Sequence, residues 1–186
     1  MRDLSLHLMD IAGNSLSAGA NLIRISLEYK KELLSFKISD NGKGMEKELL
    51  DKVINPFTTS RTTRKVGMGI PLLKNSAEIT GGSFSIKSEP NVGTDVEANF
   101  VTDSIDRIPV GDIDETMKAL ILSNTSVDFE LKFINGKKEY ELKTLDVKNY
   151  LKGVPIQNTE VINWIGENIS GGLKEIFGGV LDEISG

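Results

Sequence analysis

Asp10 and Asn14 stand four residues apart in a stretch with helical spacing, which sets both side chains on one face. Magnesium takes hard oxygen ligands, few from protein and the rest from phosphates and water, and an Asn amide oxygen can be one of them. A carboxylate one turn earlier could orient water toward a terminal phosphate, a general-base task. The same pair would also serve as the polar face of a surface helix, and by itself it does not decide. Asp40-Asn41-Gly42-Lys43-Gly44-Met45 follows a strand pattern that ends at Ser39. A carboxylate there can accept a hydrogen bond from the exocyclic amine of adenine. Glycines let backbone approach a flat base and adopt positive φ, and Met45 is suited to packing on an aromatic ring. The other reading is a Gly-rich turn; a calcium loop is excluded, because its acidic spacing and closing Glu are missing. Gly67-Met68-Gly69, just before a helix at Ile70, offers backbone N–H groups and a helix N-terminus to an anion. It is not a P-loop, since no Gly-Lys-Thr/Ser follows, and it lacks the strand and third glycine of a dinucleotide fingerprint. A plain helix start is its other reading.

These groups need elements to hold them. Leu4, Leu8, Ile11 and Ser15 predict a helix over 4–18, with Gly19 as its stop. Strands follow at 22–29 and 34–39 around the charged turn Lys30-Lys31-Glu32. A short helix over 46–54 is broken by Asn55-Pro56, and 57–69 reads as a mobile polar loop. A helix over 70–80 tolerates Pro71 in its first turn, and two strands, 84–88 and 94–101, close this half. Beyond Thr102 the spacing predicts a helix over 113–122, then a hairpin with a type I′ signal at Asn135-Gly136. A last amphipathic helix from about Asn158 is weakened by five glycines. The division expected is 1–102 and 103–186.

The 186 residues suffice for a core without staples, and with no cysteine the chain has no thiol catalysis, Cys–zinc site or disulfide. A net charge of −5 argues against nucleic-acid binding. The one basic cluster, Arg61-Thr62-Thr63-Arg64-Lys65, lies beside glycines, which suits nucleotide phosphates better than a duplex. Charge at Met1-Arg2-Asp3-Leu4 and the lack of any long apolar run predict no membrane association and a cytoplasmic chain.

From Leu6 to Phe100 the sequence resembles the GHKL family of ATPases (gyrase, heat-shock chaperone, histidine kinase, MutL). Asp10-Ile11-Ala12-Gly13-Asn14-Ser15-Leu16-Ser17-Ala18-Gly19-Ala20 is similar to the family's first motif, in its MutL-like form. Asp40-x-Gly-x-Gly-Met resembles the adenine motif. Asn55-Pro56-Phe57-Thr58-Thr59-Ser60 is similar to the phenylalanine-bearing lid of sensor histidine kinases, and Gly67-Met68-Gly69-Ile70-Pro71-Leu72 to their phosphate loop. Gly81-Gly82 and Ser88-Glu89-Pro90-x-x-Gly93-Thr94 resemble their closing strands. Motifs in this order over half the chain are specific.

The resemblance implies an α+β fold: a two-layer α/β sandwich of the GHKL (Bergerat) type, a mixed sheet with helices on one face, plus a C-terminal α+β extension. It implies ATP and Mg2+ as cofactors. Asn14 would bind the metal, and Asp40 would read the adenine amine within the loop of Gly42, Gly44 and Met45, with Gly44 packing on the base. Phe57 would belong to the lid, Gly67, Met68 and Gly69 would cradle phosphates, and Thr94 would reach adenine through water. Arg61, Arg64 or Lys65 would neutralise phosphate charge. Asp10 is the catalytic candidate, but it stands where hydrolytic members carry Glu; one methylene shorter, it would make turnover slow or absent.

The single histidine, His7, lies one turn before Asp10 and is expected to pack or face solvent, not to accept phosphate. The readings are then a regulatory ATPase or a protein kinase acting in trans, or a non-catalytic module whose nucleotide-responsive lid exposes a partner surface. Trp164 marks the C-terminal region for a protein partner or self-association. Compact relatives of this kind occur beside iron-only hydrogenase subunits, and a link to such subunits is expected on the resemblance alone.

Overall fold

Helix α1 (Leu4–Ser17) starts at Asp3, whose carboxylate accepts the Leu6 N–H at 2.9 Å and caps the first turn. The structure, a computed structural model, describes residues 1–54, 68–181 and 183. Leu4, Leu8, Ile11 and Ser15 form the buried stripe of α1, which leaves Asn14 exposed and Asp10 half-buried. Strands β1 (Leu22–Lys30) and β2 (Leu33–Asp40) alternate as their sequences do. Ile23, Ile25 and Leu27 are buried on one side with Leu34, Phe36 and Ile38, and Arg24, Ser26, Lys37 and Ser39 point to the other. Helices α2 (Lys47–Ile54) and α3 (Gly69–Glu78) pack on each other. Strands β3 (Ser83–Glu89) and β4 (Gly93–Val101) complete the first half and add Val96, Ala98 and Phe100 to the core.

The second half contributes α4 (Ile113–Ser123), β5 (Asp128–Asn135), β6 (Lys138–Lys143), α5 (Thr144–Tyr150) and α6 (Thr159–Phe177). The described strands make one six-stranded sheet in the order β3-β4-β2-β1-β5-β6. All pairs are antiparallel except β1 with β5, so the sheet is mixed and runs unbroken past residue 102. Helix α4 bridges α1 and α6, and the backbone N–H groups of Leu4 and Ser5 donate to Pro109 and Val110 at 2.9 and 3.0 Å. One apolar core therefore spans both halves, from Leu4 to Leu181. The opposite face of the sheet is polar, with Ser35 bonded to Asn99, Ser39 to Asp95, and Arg24 paired with Glu130 at 2.8 Å. A mixed α+β sandwich with its helices on the apolar face is the architecture expected.

Two local expectations change. The type I′ turn is not at Asn135-Gly136. Asn135 pairs with Lys138, the turn centres are Gly136 and Lys137, and only Gly136 has positive φ, 62°. Asn135 is held in the strand because its amide donates to the Ile176 carbonyl at 2.9 Å, which moves the turn on by one residue. Both central residues are left-handed instead at Lys31 and Glu32 (φ 51° and 63°), where the Glu32 carbonyl accepts from Thr102 N and Oγ1 at 2.9 Å. Helix α5 is an addition that the strand alternation concealed. It turns on Thr144, whose buried hydroxyl accepts the Phe129 N–H at 2.8 Å. The glycines of α6 do not interrupt it; a Cβ on Gly172 would fall 2.5 Å from the Tyr140 ring, so its absence permits close packing. Among the described residues no helix is long and apolar enough to cross a membrane.

Candidate functional site

Asp40 is the last residue of β2. Its cross-strand partners are Ile23 on β1 and Thr94 on β4, so Asp40 and Thr94, 54 residues apart in sequence, lie side by side at one end of the sheet. Both carboxylate oxygens of Asp40 are already oriented. Oδ2 accepts from the buried Ser15 hydroxyl at 2.6 Å, and Oδ1 accepts from the Gly42 N–H at 2.8 Å. Each bond to an ionised acceptor is of the stronger, charge-assisted kind and fixes the group without filling its remaining lone pairs. Gly42 thus acts on Asp40 rather than lining the space in front of it.

That space is a cavity of about 430 Å³ between α1, α2 and the start of α3, within the size of small-molecule sites. Its polar lining includes Asn14, Ser15, Asp40 and Thr94, and Ile11, Ile38, Val53, Ile70 and Val96 form apolar walls. Gly44 and Met45 also border it. Gly44 has φ 62°, and a Cβ there would lie 2.0 Å from the Glu89 carbonyl oxygen. It is glycine because the loop presses on the β3–β4 turn, where Asn91 N–H donates to the Lys43 carbonyl at 2.7 Å.

Asn14 and Asp10 share the exposed side of α1, with the Asn14 amide nitrogen 3.5 Å from Asp10 Oδ2. The amide oxygen is left without a partner among the described residues. Those residues contain no cluster of three His, Asp or Glu able to hold a metal by protein alone. A magnesium ion at Asn14 would depend on phosphate and water for its other ligands, which is how this ion usually binds. Gly69, the first residue of α3, sits against Asp10: a Cβ on it would be 1.9 Å from Asp10 Oδ2. Met68 is exposed and gives α3 no side-chain cap, so its first-turn N–H groups have no side-chain acceptor there. Phe57, Arg61, Arg64, Lys65 and Gly67 lie outside the described residues.

His7 is fully buried on α1, without a well-formed hydrogen bond at either ring nitrogen among the described residues. Burial first, then the positive N-terminus, push its pKa down to about 4, against smaller opposing effects of the Gly69 backbone and Asp3.

Ser15, Ser88 and Lys43 stand inside the quoted motifs but were given no role there, and Lys52, the other cavity cation, belongs to none of them. Ser15 follows Asn14 directly, and only the packing of α1 on β2 brings it to Asp40. Ser88 accepts the Met45 N–H at 2.8 Å and lies 2.9 Å from the Thr94 hydroxyl. No spacing in the chain announces either contact.

A family model described as histidine kinase-, DNA gyrase B-, and HSP90-like ATPase matches residues 2–104. Sporulation kinase D of Bacillus subtilis (strain 168) is 33% identical over 91 residues, covering 48% of this chain and 18% of the kinase. Sensor histidine kinase YvrG of the same organism is 30% identical over 82 residues, covering 42% of this chain and 14% of that protein. The chain therefore spans less than a fifth of the length of these two curated relatives. A crystal structure of the N terminal domain of a DNA repair protein is similar in fold, with a TM-score of 0.54 at 18% identity, over 94% of this chain and 59% of that one.

Proposed function

The chain belongs to the histidine kinase-, DNA gyrase B- and HSP90-like ATPases, and from that premise we propose that it binds Mg-ATP in the cavity at the end of β2. The observation that carries this is the Asp40 carboxylate, held at the cavity by Ser15 and Gly42 as an acceptor for the adenine amine. The apolar walls, with Met45, exclude water from the faces of the base. The Asn14 amide oxygen would hold magnesium, which when bound neutralises charge on the phosphate oxygens. The uncapped first turn of α3 offers N–H groups to the phosphates, with Lys43 and Lys52 at the cavity as cations. Asp10 would orient water toward the terminal phosphate as a general base.

The activity proposed is that of a regulatory ATPase, or of a kinase acting on another protein. His7 supports the choice of another protein as acceptor, since its nitrogens are shut from solvent. The second reading is an ATP-gated binding module without turnover. The contact of Asp10 with Gly69 and Asn14 favours it, because a carboxylate engaged there, and shorter than Glu, has less freedom to reach a water.

Calorimetric titration with Mg-ATP tests the site: micromolar to millimolar binding is expected in the native protein and none in Asp40→Asn. Binding that survives this change sinks the assignment. Labelled ATP then separates the readings. Phosphate release that disappears in Asp10→Ala supports hydrolysis, label on an added protein supports a kinase, and binding without either supports the module.

A further inference from the structure

Helix α5 packs on β5 and helix α6 on α4, β5 and β6, and between α5 and α6 an apolar groove of about 580 Å³ stays open. Its walls repeat one pattern: Asp146-Val147-Lys148-Asn149-Tyr150 on α5 and Glu160-Val161-Ile162-Asn163-Trp164 on α6. In each, an acid, a valine and an aromatic residue stand at i, i+1 and i+4, which turns all three toward one side of a helix. All six border the groove. Tyr150 is nevertheless 85% exposed and Trp164 52%. Aromatic rings of this size, gathered in a groove yet largely in water, mark a contact surface rather than a core. No residue of the nucleotide cavity borders this groove, so its occupant is independent of the nucleotide reading.

Charge and backbone together select the occupant. Asp146 and Glu160 are the charged groups of the lining, both exposed, and neither is in an ion pair among the described residues. The nearby lysines are engaged elsewhere, Lys143 with Glu141 at 3.1 Å and Lys148 with Asp128 at 2.8 Å. A first-turn acid suits the dipole of its own helix, but that dipole supplies no cation across the groove. A second copy of this chain would set acid against acid in a two-fold contact, and each copy carries a net charge of −5. Anionic lipid or nucleic acid is repelled likewise. Both walls are helices, so an extended peptide would find no strand edge for its backbone, whereas a helix satisfies its own. We propose that the α5–α6 groove docks an amphipathic helix of another protein. Its aliphatic side chains enter between Tyr150 and Trp164, and its Lys or Arg side chains reach Asp146 and Glu160.

Trp164 is the only tryptophan, so its emission reports on the groove directly. The probe is a synthetic amphipathic helix of Leu and Lys alone, titrated into the full chain, with the same helix carrying Glu for Lys as its control. The Leu/Lys helix should saturate with a blue shift of Trp164, and the Leu/Glu helix should not bind. Asp146→Lys with Glu160→Lys should weaken the Leu/Lys helix by roughly tenfold or more and admit the Leu/Glu helix. Glu48→Lys with Asp51→Lys on α2 makes the same change of net charge on exposed side chains outside the groove, and should alter affinity less than about threefold. Trp164→Ala, read by calorimetry, should weaken binding roughly tenfold. No shift of Trp164 with the Leu/Lys helix would overturn the proposal. Equal binding of the two helices would remove the charge rule, and equal losses from the two reversals would reduce it to net charge; either overturns the proposal. A blue shift that grows with protein concentration before peptide is added, with a dimer in sedimentation, would make a second copy the occupant and overturn it as well.

Discussion

Two of the concavities among the described residues differ in kind more than in size. One, of about 430 Å³, opens at the end of β2 and sets oriented polar groups against apolar walls. The other, of about 580 Å³, lies between α5 and α6, where Val147, Tyr150, Leu151, Val161 and Trp164 meet the carboxylates Asp146 and Glu160. In the first, Asp40 is fixed by two donors and Thr94 by a third group. In the second, the two acids occupy the first turns of their helices, where the helix dipole favours them, and the aromatic rings are left partly in solvent. Volume does not mark a small-molecule site here. Preorganised acceptors and donors do, because only they discriminate one ligand from another.

The sharpest way to break this contrast is at Asp40. Asp40→Asn should abolish measurable Mg-ATP binding, since an ionised acceptor is replaced by a group that can turn a donor toward the base amine; calorimetry that still found binding would dissolve the distinction between the two concavities. Next in size is a pH effect that originates at His7 on α1. His7 is held at about 4 in the folded chain against 6.5 when free. Below pH 6.5 the unfolded chain binds a proton that the folded chain refuses, so stability is full above 6.5 and falls as the pH drops toward 4. The loss is roughly 2 kcal/mol. Urea unfolding between pH 7 and 4 should show this slope, and His7→Leu should flatten it. Asn14→Ala should lower ATP affinity by roughly tenfold, about 1.4 kcal/mol, with magnesium present and leave it unchanged in EDTA. A loss that is the same in both would remove the metal from Asn14. The smallest effect belongs to the second concavity. Trp164, the only tryptophan and 52% exposed, should cost about 1 kcal/mol of stability when changed to Ala and alter ATP affinity less than twofold. A larger change in affinity would show that the α5–α6 groove is coupled to the nucleotide site.

Much of the first half was legible because its signals are local. The alternation in Ile23-Arg24-Ile25-Ser26-Leu27 and in Leu34-Ser35-Phe36-Lys37-Ile38 is the pleat itself, and the stripe Leu4, Leu8, Ile11 is one side of a helix. Asp40 and Gly44 could be named since their spacing belongs to the loop that holds them. Ser15 was legible as part of the buried stripe and Ser88 as part of a motif, but the partner of each hydroxyl was not, because it lies on another element. Helix α5 was hidden for a related reason. Seven residues give no helical period, and Thr144 begins the helix only because its hydroxyl caps a strand fifteen residues earlier.

The chain by itself determined which segments are helix and strand across most of its length, and the order of the motifs that mark the family. Those properties follow from side-chain period, backbone preference and loop spacing, all of which act over a few residues. Tertiary structure alone decided that β5 joins β1 in parallel and carries the sheet past residue 102, that Asn135 stays in its strand, and which atoms orient Asp40 and Thr94. The β1–β5 pairing, the Asn135 bond and the Ser15 bond to Asp40 depend on partners 106, 41 and 25 residues away, and the Ser88–Thr94 contact on the closing of the β3–β4 ladder; a hydrogen bond or a strand pairing has no sequence signature until the chain has folded and brought the two groups together.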